Sequence, residues 1–242
     1  MTNCSNKIQS KGLSVQQVEI NSDNKIDGIP QDSLIYATRP GSVLLTGIPQ
    51  YRLVTIYKVN HRKNNTTFIG SNEFYFNYNE EEMDGNKWHD HLMPGLEAVY
   101  GYNMVNVSHY DTVKQQQKNF FEKPVLIKTL YYPSFLKDTL NHKLVTRNYF
   151  MISVFDEDTN KDGAISVKDL RRFYLFDINA ENKRALISTN YSVYKSEYDQ
   201  ANDFVYIYAK LDENKNGQIE EFEPVSIFWI DLKNPERTGR KY

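Results

Sequence analysis

Arg52-Leu53-Val54-Thr55-Ile56-Tyr57-Lys58-Val59 sets Leu53, Tyr57 and Val59, with Thr55 among them, at every second position. A period of two sends alternate side chains to opposite faces of a strand, whereas a helix repeats every 3.6 residues or so. The same texture runs along the chain from Leu34 onward. Short apolar runs at 42–46, 68–78, 125–132, 149–155, 173–178, 204–210 and 225–232 alternate with turn residues. Tyr (18) and Phe (13) are abundant, and aromatic residues favour half-buried pleated surfaces. The predicted fold is therefore mostly β, with few short helices: one over 134–147 and a single turn over 167–172.

Residues 1–33 differ. They contain no aromatic residue and are rich in Ser, Asn, Gln, Lys and Asp, too polar to bury a core of their own. They are expected to form a flexible N-terminal tail ahead of a β-rich domain over 34–242. No apolar stretch follows Met1, so no signal peptide is expected within the chain, and no run approaches the length of a membrane-spanning helix. Cys4 is the only cysteine, which excludes an intrachain disulfide. Its context, Thr2-Asn3-Cys4-Ser5-Asn6, looks like the start of a mature bacterial lipoprotein whose signal segment is missing. That context implies a periplasmic or outer-membrane location, with membrane contact only through a lipidated Cys4. A formal net charge of −2 argues against the basic field of a nucleic-acid binder.

An internal repeat organises the second half. Asp158 aligns with Asp212, 54 residues on, and the match continues without a gap through Asn160 and Asn214, Gly163 and Gly217, and Ile165 and Ile219. Phe150 precedes the first segment as Phe204 precedes the second. Beyond them, Phe173-Tyr174-Leu175-Phe176-Asp177 aligns with Ile227-Phe228-Trp229-Ile230-Asp231. Each unit reads as strand, loop, short turn, and strand ending in Asp. A weaker echo stands upstream, where Phe121-Glu122-Lys123-Pro124-Val125-Leu126-Ile127 resembles Phe222-Glu223-Pro224-Val225-Ser226-Ile227 with no such loop before it.

The repeated loops place oxygens at a fixed spacing. Loop one offers Asp158, Asn160, Asp162, the Ala164 carbonyl, Ser166 and Asp169 at positions 1, 3, 5, 7, 9 and 12, with Gly163 at 6. Loop two offers Asp212, Asn214, Asn216, the Gln218 carbonyl, Glu220 and Glu223, with Gly217 at 6. Calcium, a hard cation, takes about six to eight oxygens, and a twelve-residue loop of this pattern supplies them around a sharp turn made by glycine. Polar hairpin turns account for the Asp, Asn and Gly content. They do not account for apolar Ile165 and Ile219 at position 8, or for the carboxylate at position 12. Two calcium ions are the expected cofactors. Starting loop one at Asp156 puts Lys161 at the glycine position and fails. The segment 80–85 fails on Lys87 and His91 at positions 8 and 12, and the segment 23–28 on Lys25 at position 3. The modest ligand charge predicts weak sites, with Kd on the order of 10⁻⁵–10⁻³ M.

The loop sequences resemble the EF-hand family, and loop one with Leu170-Arg171-Arg172-Phe173 also resembles dockerin repeats. In both families helices flank the loop. Here Phe204-Val205-Tyr206-Ile207-Tyr208 precedes loop two, and Pro224 with a strand-like run follows it. The resemblance thus implies metal binding by the named residues and no helix-opening switch. A second resemblance rests on Tyr198-Asp199-Gln200-Ala201-Asn202-Asp203 running into Phe204–Leu211, on Ile227-Phe228-Trp229-Ile230-Asp231-Leu232, and on 173–186. It is to the β-propeller blades of the periplasmic Tol-complex family, although that family's Trp and Pro-Asp-Gly signatures are absent. It implies a propeller-like ring or a curved antiparallel sheet.

Outside the loops, Trp88-His89-Asp90-His91, with His109 nearby in sequence, is the one cluster suited to a transition metal or a general base. No Gly-rich phosphate loop, His-Glu-x-x-His or nucleophile elbow is present, and no catalytic residue is assigned. The sequence therefore points to a calcium-binding β-rich protein with a binding or scaffolding role at a bacterial envelope. The alternatives are an envelope hydrolase using His89 and His91 with purely structural calcium, and an EF-hand sensor.

Overall fold

The computed structural model describes residues 13–14, 38–61, 67–69, 72–73, 87–88 and 93–242. These residues form strands and no helix. In chain order they begin with β1 (Leu13–Ser14), β2 (Thr38–Leu45), β3 (Tyr51–His61), β4 (Thr67–Ile69), β5 (Asn72–Glu73) and β6 (Lys87–Trp88). There follow β7 (Leu96–Asp111), β8 (Gln116–Asn119), β9 (Leu126–Pro133), β10 (Asp138–Leu140), β11 (Lys143–Val145) and β12 (Tyr149–Phe155). The chain closes with β13 (Ala164–Ile165), β14 (Arg172–Asp177), β15 (Arg184–Ala185), β16 (Tyr191–Asp199), β17 (Phe204–Leu211), β18 (Val225–Asp231) and β19 (Thr238–Arg240).

Two sheets carry the architecture, and neither closes on itself. The ten-stranded sheet follows the order β15-β14-β12-β9-β7-β3-β2, with β4, β5 and β8 paired alongside. The five-stranded sheet follows β19-β18-β17-β16-β6. Pairing is antiparallel throughout except between β16 and β6.

Alternation explains the layering. Tyr149-Phe150-Met151-Ile152 is apolar at every position because both faces of β12 are covered. Phe150, Ile152 and Val154 enter one core, while Tyr149 and Met151 enter another. The adjacent β14 divides the same way, Tyr174 and Phe176 against Phe173 and Leu175. The first core also gathers Leu44, Leu53, Tyr57 and Val107 from the far end of the same sheet, so that sheet curls around it. The second core takes Val193, Val205, Ile207, Ala209 and Ile230 from the five-stranded sheet, which packs the two sheets face to face. In β3 the residues Tyr51, Leu53, Thr55, Tyr57 and Val59 are all buried on one face, as their period of two requires.

Neither expected helix forms. Residues 134–147 hold the β10–β11 hairpin, joined by Asn141 and His142 at φ of 51° and 61°. Two central residues of positive φ make the turn whose twist suits adjacent strands, and asparagine tolerates that conformation well. Over 167–172 the chain makes one tight turn, Asp169 N–H to the Ser166 carbonyl at 3.3 Å, and enters β14 at Arg172. Two long strands escape the alternation rule. In β7 the pairing slips between Tyr100 and Met104, next to Asn103 at φ 58°. In β16 the register shifts between Val193 and Lys195, and polar residues interrupt the pattern.

A buried charge joins the sheets at one end. Arg147 donates from Nε to the Pro94 carbonyl at 3.0 Å, from Nη1 to the Leu232 carbonyl at 2.6 Å, and from Nη2 to both Asp203 oxygens at 2.8 and 2.9 Å. The two side chains are only 3% and 2% exposed. Removing one partner strands the other charge in the interior, at a cost of about 3–5 kcal/mol. Asp203→Asn, which keeps side-chain size, is expected to lower the urea midpoint accordingly. A midpoint equal to the parent's would show that the clamp does not hold the sheets.

Candidate metal centre

Each loop connects the two strands of an antiparallel hairpin. Loop one runs from β12 to β14, and loop two from β17 to β18. The two loops share one backbone conformation. Position 4 is left-handed in both, with Lys161 and Lys215 each at φ 59°. Position 6 follows as Gly163 at 86° and Gly217 at 74°, a region open to glycine without strain.

The side chains at positions 1, 3 and 5 turn back onto the loop's own N–H groups. In loop one, Asp158 accepts from the N–H of Asp162 at 3.1 Å and of Gly163 at 2.9 Å. Asn160 accepts from Asp162 at 3.0 Å, and Asp162 from Ala164 at 3.1 Å. Loop two repeats the set. Asp212 accepts from Asn216 at 3.1 Å and Gly217 at 3.0 Å, Asn214 from Asn216 at 2.9 Å, and Asn216 from Gln218 at 2.9 Å. Asn214 Nδ2 also donates to Glu220 at 2.6 Å.

The carboxylate at position 12 braces each loop from inside. Asp169 accepts from the N–H groups of Thr159 at 2.8 Å, Asn160 at 3.2 Å and Ser166 at 2.7 Å. Glu223 accepts from Glu213 at 3.2 Å and Glu220 at 3.0 Å. Burial pushes the Asp169 carboxyl above its ordinary range, against the pull of those N–H donors.

Asp169, Asp212 and Glu223 are 2%, 8% and 3% exposed, and among the described residues none of them forms an ion pair. A buried carboxylate ordinarily needs a cation or a full set of donors. Each carboxylate oxygen has two lone-pair sites, so the N–H contacts leave capacity for a metal. Among the described residues no three His, Cys, Asp or Glu side chains group closely enough to hold a metal by themselves. Each loop would complete its set with Asn side chains and the Ala164 or Gln218 carbonyl, as the EF-hand ligand pattern does.

Of the other sequence candidates, one is described. His89, His91 and Cys4 lie outside the described residues. His109, on β7, is 2% exposed and packs against Tyr51 with ring centroids 4.6 Å apart. Its Nε2 lies 3.0 Å from the Ile178 carbonyl, which can only accept, so Nε2 carries the proton. Burial lowers its pKa, which keeps the ring neutral at pH 7. It borders a polar cleft of ≈ 370 Å³ with Tyr51, Asp111 and Glu181.

Sequence reasoning missed Thr159. Its Oγ donates to the Gly217 carbonyl of the other loop at 2.7 Å, so the two loops touch. Position 2 is not a ligand position, and the aligned residue in loop two is Glu213, so no pattern marks it. No protein-family model matches the chain, and no curated protein matches it in sequence.

The two glycines make a paired test of this geometry. A Cβ on Gly163 would meet nothing within 4 Å, whereas one on Gly217 would sit 1.9 Å from the Thr159 carbonyl oxygen. Gly163→Ala is expected to cost about 1 kcal/mol, the strain of a left-handed alanine alone. Gly217→Ala is expected to cost clearly more, because backbone must move. Chemical unfolding in excess chelator compares them, and equal losses would contradict the inter-loop contact.

Proposed function

We propose that the chain binds calcium through two EF-hand-type loops, and that its role is to bind or scaffold a partner at a bacterial cell envelope. The observation that carries this is the trio of buried carboxylates, Asp169, Asp212 and Glu223, unneutralised by any described basic side chain. Loop one would hold its ion with Asp158, Asn160, Asp162, Ala164 and Asp169. Loop two would use Asp212, Asn214, Asn216, Gln218 and Glu223. A bound ion supplies positive charge and ties one strand of each hairpin to the next.

Strands on both sides of each loop favour a structural tie over a sensor that opens helices. Weak sites suit a compartment where calcium is plentiful, and the sequence around Cys4 favours the envelope. We read the two hairpins as copies of one unit. In support, Asp177 and Asp231 each end a strand and cap the turn after it. Asp177 accepts from the Asn179 N–H at 2.9 Å, and Asp231 from Lys233 at 3.0 Å. Such units, one per sheet, suit a propeller-like or curved arrangement.

Calcium binds the folded loops and not the unfolded chain, so at a Kd on the order of 10⁻⁵–10⁻³ M about 1 mM calcium should add about 0.4–2.7 kcal/mol per loop. The melting temperature should rise by several degrees over excess chelator. An unchanged melt would refute the proposal. Glu223→Gln should weaken calcium binding more than Asp169→Asn. Asp169 already gives its oxygens to three N–H groups and loop one keeps Asp158 and Asp162, whereas Glu223 serves two N–H groups in a loop whose positions 3 and 5 are neutral. Calorimetric titration ranks them, and loss confined to Asp169→Asn would reverse the assignment.

A further inference from the structure

We propose that Thr159, itself no ligand, couples the two loops, so that an ion in one tightens the hold of the other. This rests on the calcium proposal above. The loops belong to different sheets, yet an unbroken run of hydrogen bonds links a ligand of one to a ligand of the other. Asp169, position 12 of loop one, accepts from the Thr159 N–H at 2.8 Å. Thr159 Oγ donates to the Gly217 carbonyl at 2.7 Å, and the Gly217 N–H donates to Asp212, position 1 of loop two, at 3.0 Å. The hydroxyl is aimed by a second contact, since it accepts from the Leu170 N–H at 2.9 Å. Both terminal carboxylates are buried, at 2% and 8% exposed, so neither can swing into solvent without breaking the run.

The junction has no slack. Gly217 lies so close to the Thr159 and Asn160 backbone that an added Cβ would fall 1.9 Å from one and 2.8 Å from the other. The short strand of loop one pairs elsewhere, Ile165 with Leu13 and Ala164 with Ser14, and Thr159 and Asn160 meet Gly217. An ion that fixes Asp169 therefore fixes Thr159, and with it Gly217, the residue whose N–H orients Asp212. The ordering of this shared junction is met once, by the first ion, which leaves less for the second to order. Repulsion between the two ions opposes this, screened by salt and by the loop carboxylates. Coupling of this kind spans about 5- to 150-fold, and reliance on the one Thr159–Gly217 hydrogen bond places it near the low end.

Calorimetry of the full chain with calcium alone tests this, with equilibrium dialysis counting the ions. The parent's overall two-ion constant is compared with the product of the constants of two single-site chains, Glu223→Gln and Asp158→Asn. The parent is expected to exceed that product by about 5- to 10-fold. Adding Thr159→Val to all three chains should bring the ratio to unity, while Thr159→Ser should preserve the excess. Because the ratio is taken within each background, general destabilisation by valine cancels. A parent that binds two ions with no excess overturns the coupling and leaves the calcium proposal standing. An excess that persists with valine, or vanishes with serine, removes Thr159 from the mechanism. A parent that binds no calcium overturns both.

Discussion

A carboxylate withdrawn from water has to be compensated, and the two ends of this molecule do so by different means. At one end Asp203 meets Arg147 in a buried bidentate pair, and two main-chain carbonyls take the remaining donors. At the other, Asp169, Asp212 and Glu223 are met by N–H groups, without a described basic side chain. The facing hairpins span the distance between these ends. β12 begins just after Arg147 and finishes at loop one, and β17 begins just after Asp203 and finishes at loop two. The core between them, built from Tyr149, Met151, Val205 and Ile207, is thus bounded by a permanent cation on one side and by the proposed site of an exchangeable one on the other.

This arrangement gives the proposed calcium a defined task. With the clamp intact, loss of the ions would free the loop ends of the hairpins before the clamped ends, because local stability follows local contacts. On the proposed coupling, the junction between Thr159 and Gly217 sets whether the two loops loosen together or one at a time.

Much of the fold was legible because it is local. A period of two in 52–59 and a continuous apolar run in 149–152 each follow from which faces a strand buries. The shared turn of the two loops was legible for the same reason: the residues that build it, from Asp158 to Asp169 and from Asp212 to Glu223, lie within twelve positions. What escaped was either a backbone exception or a long-range contact. Asn141 and His142 turned an expected helix into a hairpin through positive φ that composition does not display. The slip near Asn103 hid the longest strand. The pairing of Leu13 with Ile165, inside a segment expected to be a tail, joins residues far apart in the chain. So does the meeting of Thr159 with Gly217, which needs both sheets in place before it exists.

The most direct measurement is nuclear magnetic resonance of the ¹⁵N-labelled chain during a calcium titration, read at the amides of Gly163 and Gly217. Each of these N–H groups donates to the position-1 carboxylate of its own loop, at 2.9 and 3.0 Å, so a cation captured there must perturb it. Large shifts of both glycine signals, saturating in the micromolar to millimolar range, are the expected result. Two glycine amides that stay in place at millimolar calcium would contradict the account.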